Sequence, residues 1–215
     1  MMDNYFFDFD GTLADSGQTA ILATQAAFRD YDLAVPDEDA IAYFMGVPIE
    51  VSFKKLAPDA EFTDYEFKAL LAIFRSYYKQ MESSNLTLFP HIEKVLKQLH
   101  DEGKQLFVVS SKHSAALIRN LEQLEIDQYF DAVLGSDQVK KFKPAPDGLL
   151  FLLKKYHLDP NKSVMIGDAI FDLQMGQAAG VATCAVTWGT HSKKELVVQE
   201  PTFVVNKPKQ LLKID

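Results

Sequence analysis

Asp8-Phe9-Asp10-Gly11-Thr12 sets two carboxylates two residues apart, beside a glycine and a hydroxyl. In extended backbone, side chains two apart point the same way. One carboxylate can then attack a reacting group while the other handles its proton. Gly11 permits a sharp turn and lets its amide approach an anionic oxygen closely. Further along stand Ser110-Ser111-Lys112, then Lys143, then Gly167-Asp168 with Asp172 close behind. If these carboxylates meet, they repel unless a cation offsets them. A hard divalent ion with oxygen ligands answers that need, and Mg²⁺ commonly joins one or two carboxylates to phosphate oxygens. The plainer alternative for Asp8 to Thr12 alone is an Asp-rich turn after a strand.

What would bring these residues together is a parallel sheet. Short apolar runs of strand length each end at one of them: Asn4 to Phe7 before Asp8, Gln105 to Val109 before Ser110, and Val164 to Ile166 before Gly167-Asp168. Ala132 to Leu134, Ala182 to Val186 and Phe203 to Val205 add three more runs, the last as an edge strand. Helical periodicity fills the gaps at His91–Asp101, Ser114–Leu124, Leu149–Tyr156 and Phe171–Ala179, with Ser114 expected as an N-cap. Buried strands separated by helices imply a doubly wound α/β core. In such sheets ligands bind beyond the carboxyl ends of the strands, where these side chains lie.

One stretch lacks strands. From Ser16 to Ser84 only helical patterns occur, at Thr19–Tyr31, Asp37–Phe44, Pro48–Leu56 and Asp64–Met81, the last capped by Thr63 or Asp64. The expectation is an inserted all-α domain over 16–84, with 1–15 and 85–215 forming the α/β core. Turn-rich Asp15-Ser16-Gly17 and Ser83-Ser84-Asn85 mark the crossings, with Asp15 expected to cap the first inserted helix or stiffen the hinge.

Composition narrows the function classes. Over 215 residues, 47% are hydrophobic and 24% charged, which is ordinary for a globular chain able to bury a real core. The net charge of −8 gives no basic face for nucleic acid or anionic lipid. No apolar run approaches the ~20 residues that span a bilayer, and the first residues lack the basic and apolar regions of a secretory signal. A single cysteine, Cys184, fits a reducing compartment and reads as inert core. A cytoplasmic protein, monomer or homodimer, is expected.

The segments DFDGTLADS, VVSSK, KFKPAPD and MIGDAIFD, in this order at strand ends, resemble the haloacid dehalogenase superfamily of phosphohydrolases. The resemblance spans essentially the whole chain, and the helical insertion resembles the superfamily's helical C1-type cap. It implies that Asp8 is a nucleophile forming an aspartyl-phosphate. Asp10 would be the general acid and then base, its carbonyl also touching the metal. Ser110 would bind phosphoryl oxygens, helped by the amides of Ser111 and Gly11, with Thr12 and Lys112 beside them. Lys143 would neutralise charge between Asp8 and the phosphoryl group, although the run Lys140-Lys141-x-Lys143 could also be a solvated face. Asp168 would bind Mg²⁺ with Asp8, and Asp172 would be a further ligand or simply a helix cap.

Dehalogenation needs no acid two residues after the nucleophile, so Asp10 favours phosphate chemistry. Ala20 stands where the superfamily's sugar phosphomutases carry a histidine. Tyr43 to Pro48 with Phe53 resembles the specificity loop of the phosphoglycolate phosphatase-like branch, with Met45, Gly46 and Val47 facing the substrate. Among the cap cations, Lys54, Lys55, Arg29, Arg75 and Lys79 could meet a substrate anion or lie solvated. His113 beside the second motif is expected to face solvent, and Trp188 and His191 to line the site or simply pack. The expectation from the resemblance is a Mg²⁺-dependent phosphatase for a small phosphorylated metabolite, a phosphoglycolate-like phosphomonoester, acting through an aspartyl-phosphate. Pyrophosphatase, nucleotidase and phosphomutase chemistry, and a non-catalytic regulator, are the alternatives.

Overall fold

The computed structural model describes all residues, Met1–Asp215. In chain order the elements are β1 (Asn4–Phe7), β2 (Ala14–Asp15), α1 (Gly17–Asp30), α2 (Glu38–Tyr43), α3 (Ile49–Leu56), α4 (Asp64–Asn85), β3 (Thr87–Leu88), α5 (Ile92–Asp101), β4 (Gln105–Val109) and α6 (Ser114–Gln123). There follow β5 (Ala132–Leu134), α7 (Asp147–Lys155), β6 (Ser163–Gly167), α8 (Ile170–Ala179), β7 (Ala182–Val186), α9 (Lys193–Val197) and β8 (Phe203–Val205). Six strands form one sheet in the order β5-β4-β1-β6-β7-β8, and every pair in it is parallel.

This α/β fold follows from strands that are apolar on both sides. In β1, Tyr5 and Phe7 enter one core layer and Phe6 the other, and β4 and β6 repeat the alternation. Phe6 stacks on Phe107 of β4 with ring centroids 4.9 Å apart. Such a sheet needs helices over both faces. Leu96 and Leu99 of α5 with Leu117 and Leu121 of α6 cover one face. Leu149, Leu152 and Met175 of α7 and α8 cover the other. β1 lies between β4 and β6 because the chain first builds outward through β4 and β5, then returns to start the other half at β6. That reversal opens a crevice at the carboxyl end of β1.

Between β2 and β3 the chain runs only through helices α1–α4, of which α1, α3 and α4 share a separate apolar cluster of Ala27, Phe28, Phe53, Leu70 and Leu71. Phe28 and Phe53 meet edge to face at 5.1 Å. α4 begins in a capping box in which Thr63 and Glu66 satisfy each other's backbone N–H groups. Where the chain leaves and re-enters the sheet region, β2 and β3 pair antiparallel through Ala14–Leu88 and Asp15–Thr87.

Three local expectations are corrected. Asp15 does not cap α1; its side chain is exposed and its backbone pairs with Thr87 in this ribbon, at the crossing where the hinge alternative places it. Ser83-Ser84-Asn85 is not a turn but the last stretch of α4. The N-cap of α6 is His113, whose Nδ1 accepts from the Ala115 N–H, whereas the Ser114 amide and hydroxyl both donate to Asp137.

Candidate active site

Five of the sequence-selected residues converge at the crevice. Asp8 follows β1, Ser110 follows β4, Asp168 follows β6, Asp172 sits in the first turn of α8, and Lys143 comes from the loop before α7. All five are buried, Asp172 to 1% exposure. Carboxylate oxygens of Asp8, Asp168 and Asp172 lie within 4.8 Å of one another. Lys143 Nζ donates to Asp8 at 2.6 Å and to Asp172 at 2.7 Å, so the charged arm of the Lys140–Lys143 run points inward.

The electrostatics carry the chemical meaning. Burial, with the neighbouring Asp172 and Asp10, pushes the Asp8 carboxyl well above its ordinary range although Lys143 opposes it. Burial and the charge of Asp8 push Asp168 up to about 6, against the bonds from Thr190 and Thr12. Burial, partly offset by Lys143, raises Asp172 as well. Asp8 and Asp172 hold Lys143 protonated in spite of its burial. One lysine therefore does not compensate three buried acids. An oxygen-donor cluster carrying that surplus is suited to a divalent metal ion, which would hold all three carboxylates ionised.

Short backbone devices fix each group. Thr12 Oγ1 donates to Asp168 Oδ1 at 3.1 Å and the Thr190 amide to Oδ2 at 2.7 Å. Gly11 has φ +82°, and a Cβ there would fall 2.2 Å from Asp168 Oδ2, so only glycine fits. Its amide donates to the Ala14 carbonyl and is thus not directed at a ligand. The amides of Asp10 and Ser111, by contrast, make no hydrogen bond within the protein. Asp172 Oδ2 also accepts from the Ala169 N–H, so it caps α8 while joining the cluster.

Asp10 and Lys112 form a second group beside the first. Asp10 Oδ1 accepts from Ser16 Oγ at 2.6 Å and from Lys112 Nζ at 2.7 Å. The other two Lys112 donors go to Tyr78 Oη at 2.7 Å and Asn120 Oδ1 at 3.2 Å. An ammonium has three donors, so Lys112 faces Asp10 and α4, not the place of a phosphate beside Ser110. The chain continues through Asn120 to Glu82 of α4, which also accepts twice from Arg119, at 2.6 and 2.9 Å. Burial would raise Glu82, but the Arg119 and Asn120 bonds outweigh it and hold its carboxyl below the usual value. Tyr78, Asn120, Glu82 and Thr190 escaped the sequence reading because nothing local distinguishes them from packing residues.

The loop after α2 reaches the same crevice. The Gly46 carbonyl accepts from Ser111 Oγ at 3.0 Å, and a Cβ on Gly46 would lie 2.7 Å from Ala169 Cβ. Met45 and Val47 on either side line a cavity of about 420 Å³ between the inserted helices and α6. His191 stacks on Tyr43 at 5.6 Å while its Nδ1 accepts from the Ile170 amide. Trp188 Nε1 donates to the Thr12 carbonyl. Both thus fasten loops around the crevice.

A parallel sheet with buried acids at its switch point defines a protein of the Rossmann-like α/β class with an acidic site suited to metal-assisted chemistry. The family model "Haloacid dehalogenase-like hydrolase" matches residues 5–186, and the chain belongs to that family. It is 32% identical over 203 residues to the "Probable phosphatase IndB" of Dickeya dadantii, covering 93% of this chain and 87% of that protein. It is 27% identical to the "Pyrophosphatase PpaX" of Bacillus pumilus, over 99% of this chain and 96% of that one. A crystal structure of a predicted phosphoglycolate phosphatase from Haemophilus somnus superposes with a TM-score of 0.90 at 25% identity, covering 99% and 97% of the two chains.

Proposed function

We propose that the protein is a Mg²⁺-dependent phosphatase that hydrolyses a small phosphomonoester through an aspartyl-phosphate on Asp8. The observation that carries this reading is the buried Asp8–Asp168–Asp172 cluster with Lys143 at the switch point. Asp8, Asp168, Asp172 and the Asp10 carbonyl would hold the ion, which supplies charge neutralisation for the phosphoryl oxygens. Asp8 Oδ attacks phosphorus and the ester oxygen leaves with a proton from Asp10. Asp10 then takes a proton from the water that attacks the phosphorus of the acyl phosphate, restoring Asp8 and releasing inorganic phosphate. Lys143, the Ser110 hydroxyl and the Asp10 and Ser111 amides hold the phosphoryl oxygens in line, so catalysis rests on positioning and electrostatics. Residues 16–84 act as a cap domain that excludes water, hinged near the β2–β3 ribbon, with Met45-Gly46-Val47 touching the substrate.

Phosphate release with Mg²⁺ from phosphoglycolate, hexose phosphates, nucleoside monophosphates and pyrophosphate, with wild type beside Asp8→Asn, tests this. Release that disappears in the variant and in EDTA is expected. Release that persists in the variant would refute Asp8 as nucleophile.

A further inference from the structure

The cavity between α1–α4 and α6 has a composition that the phosphatase chemistry does not by itself require. It holds about 420 Å³, within the ~300–1,000 Å³ of pockets that enclose whole organic ligands. Twelve of its 21 lining residues are hydrophobic, Ile41, Val47, Phe53 and Phe74 among them. Asp10 and Ser111 form part of its wall, so it opens on the side of the site from which the ester oxygen departs in the proposed reaction.

Its cations are largely engaged. Arg75 pairs with Glu50 at 2.7 Å, Lys112 with Asp10 at 2.7 Å and Arg119 with Glu82 at 2.6 Å. Lys79 is the one lysine or arginine of the wall without a carboxylate partner. A carboxylate or second phosphate enclosed here would lose water and find little free positive charge in return. An apolar body would gain, by roughly fourfold in binding for each methylene buried.

We infer that the leaving alcohol is bulky and largely apolar, an aryl-alkyl or comparably sized hydrocarbon framework, rather than glycolate or a second phosphate. This rests on the phosphatase reading and narrows its substrate class.

The test compares kcat/KM for benzyl phosphate, ethyl phosphate, phosphoglycolate and pyrophosphate with Mg²⁺. Benzyl and ethyl alcohols are similarly acidic, so their esters differ mainly in what enters the cavity. Benzyl phosphate should exceed ethyl phosphate by tenfold or more and exceed both anionic substrates. Parity between the two esters, or a lead for phosphoglycolate or pyrophosphate, would overturn the inference while leaving the phosphatase intact. No release from any of the four would remove the phosphatase reading and this inference with it. Ala116→Leu, which narrows the cavity from α6, should lower the benzyl-to-ethyl ratio about fivefold. An unchanged ratio in the folded variant would contradict the placement of the alcohol.

Discussion

The crevice has two walls of opposite character. On the sheet side, four buried charged groups, Asp8, Lys143, Asp168 and Asp172, are held by backbone amides and by each other. On the side of the inserted helices, the wall is mainly carbon, with Phe44, Phe53 and Phe74 along it. Charges at fixed positions suit a transferring phosphoryl group, whose charge is the same whatever alcohol carries it. An apolar wall discriminates by shape and area, which vary with the alcohol. On the proposed function, the difference assigns reaction type and substrate choice to separate parts of the chain. Where the two parts touch, through Lys112–Tyr78 and Ser111–Gly46, each can influence the other.

Breaking the charged wall should have the largest effect. Lys143→Met leaves Asp8 and Asp172 buried without their cation, which should cost about 3–5 kcal/mol of stability and kcat about 10³-fold. Steady-state kinetics with a thermal melt checks both, and kcat near wild type would show that Lys143 is only structural.

Next comes the bond between the walls. Lys112→Met removes one of the two groups that hold Asp10, leaving only the Ser16 hydroxyl, so kcat/KM on an alkyl phosphate should fall about 10²-fold. On 4-nitrophenyl phosphate, whose leaving group departs without a proton, the fall should be much smaller. Equal losses on both esters would reject Lys112 as the residue that positions Asp10.

A smaller change is expected from the loop. Gly46→Val forces a side chain against Ala169 and Phe171, and should reorder substrate preference by about tenfold. A uniform decrease over the panel would place the loop outside recognition.

The smallest effect tests the link between α4 and α6. Glu82→Gln weakens the bonds to Arg119 and Asn120 and should lower stability by about 1 kcal/mol, read as a reduced Tm. Because the Glu82 carboxyl is held below its unfolded value, its contribution is present above the unfolded pKa and is lost as pH falls through the folded pKa. The gap between wild type and variant should therefore close in acid, and a pH-independent gap would contradict the ion pair.

The sheet strands and the acids at their ends were legible because both depend on local sequence. A short apolar run on both faces becomes a buried strand, and the next residue reaches the crevice. Lys112 was readable only as a neighbour of Ser110; its partner Tyr78 lies on α4, and that contact depends on how the inserted helices rest against α6. Ser83-Ser84-Asn85 looks like a turn by propensity, yet the contacts of Glu82 with Arg119 and Asn120 secure the last stretch of α4, and packing overrides weak preference. Ser16, not Asp15, stands at the N-cap position of α1, and its hydroxyl donates to Asp10, leaving α1 without a side-chain cap. The β2–β3 ribbon is too short to show a period of its own.

The central claim is that Asp8 carries the phosphoryl group during turnover. Acid quench of a single turnover, reduction with borohydride and peptide mapping would test it directly, since an acyl phosphate on aspartate is reduced to homoserine. The account predicts homoserine at position 8, dependent on substrate and absent from Asp8→Asn. Turnover with no modification at position 8, or with modification at another acid, would contradict it.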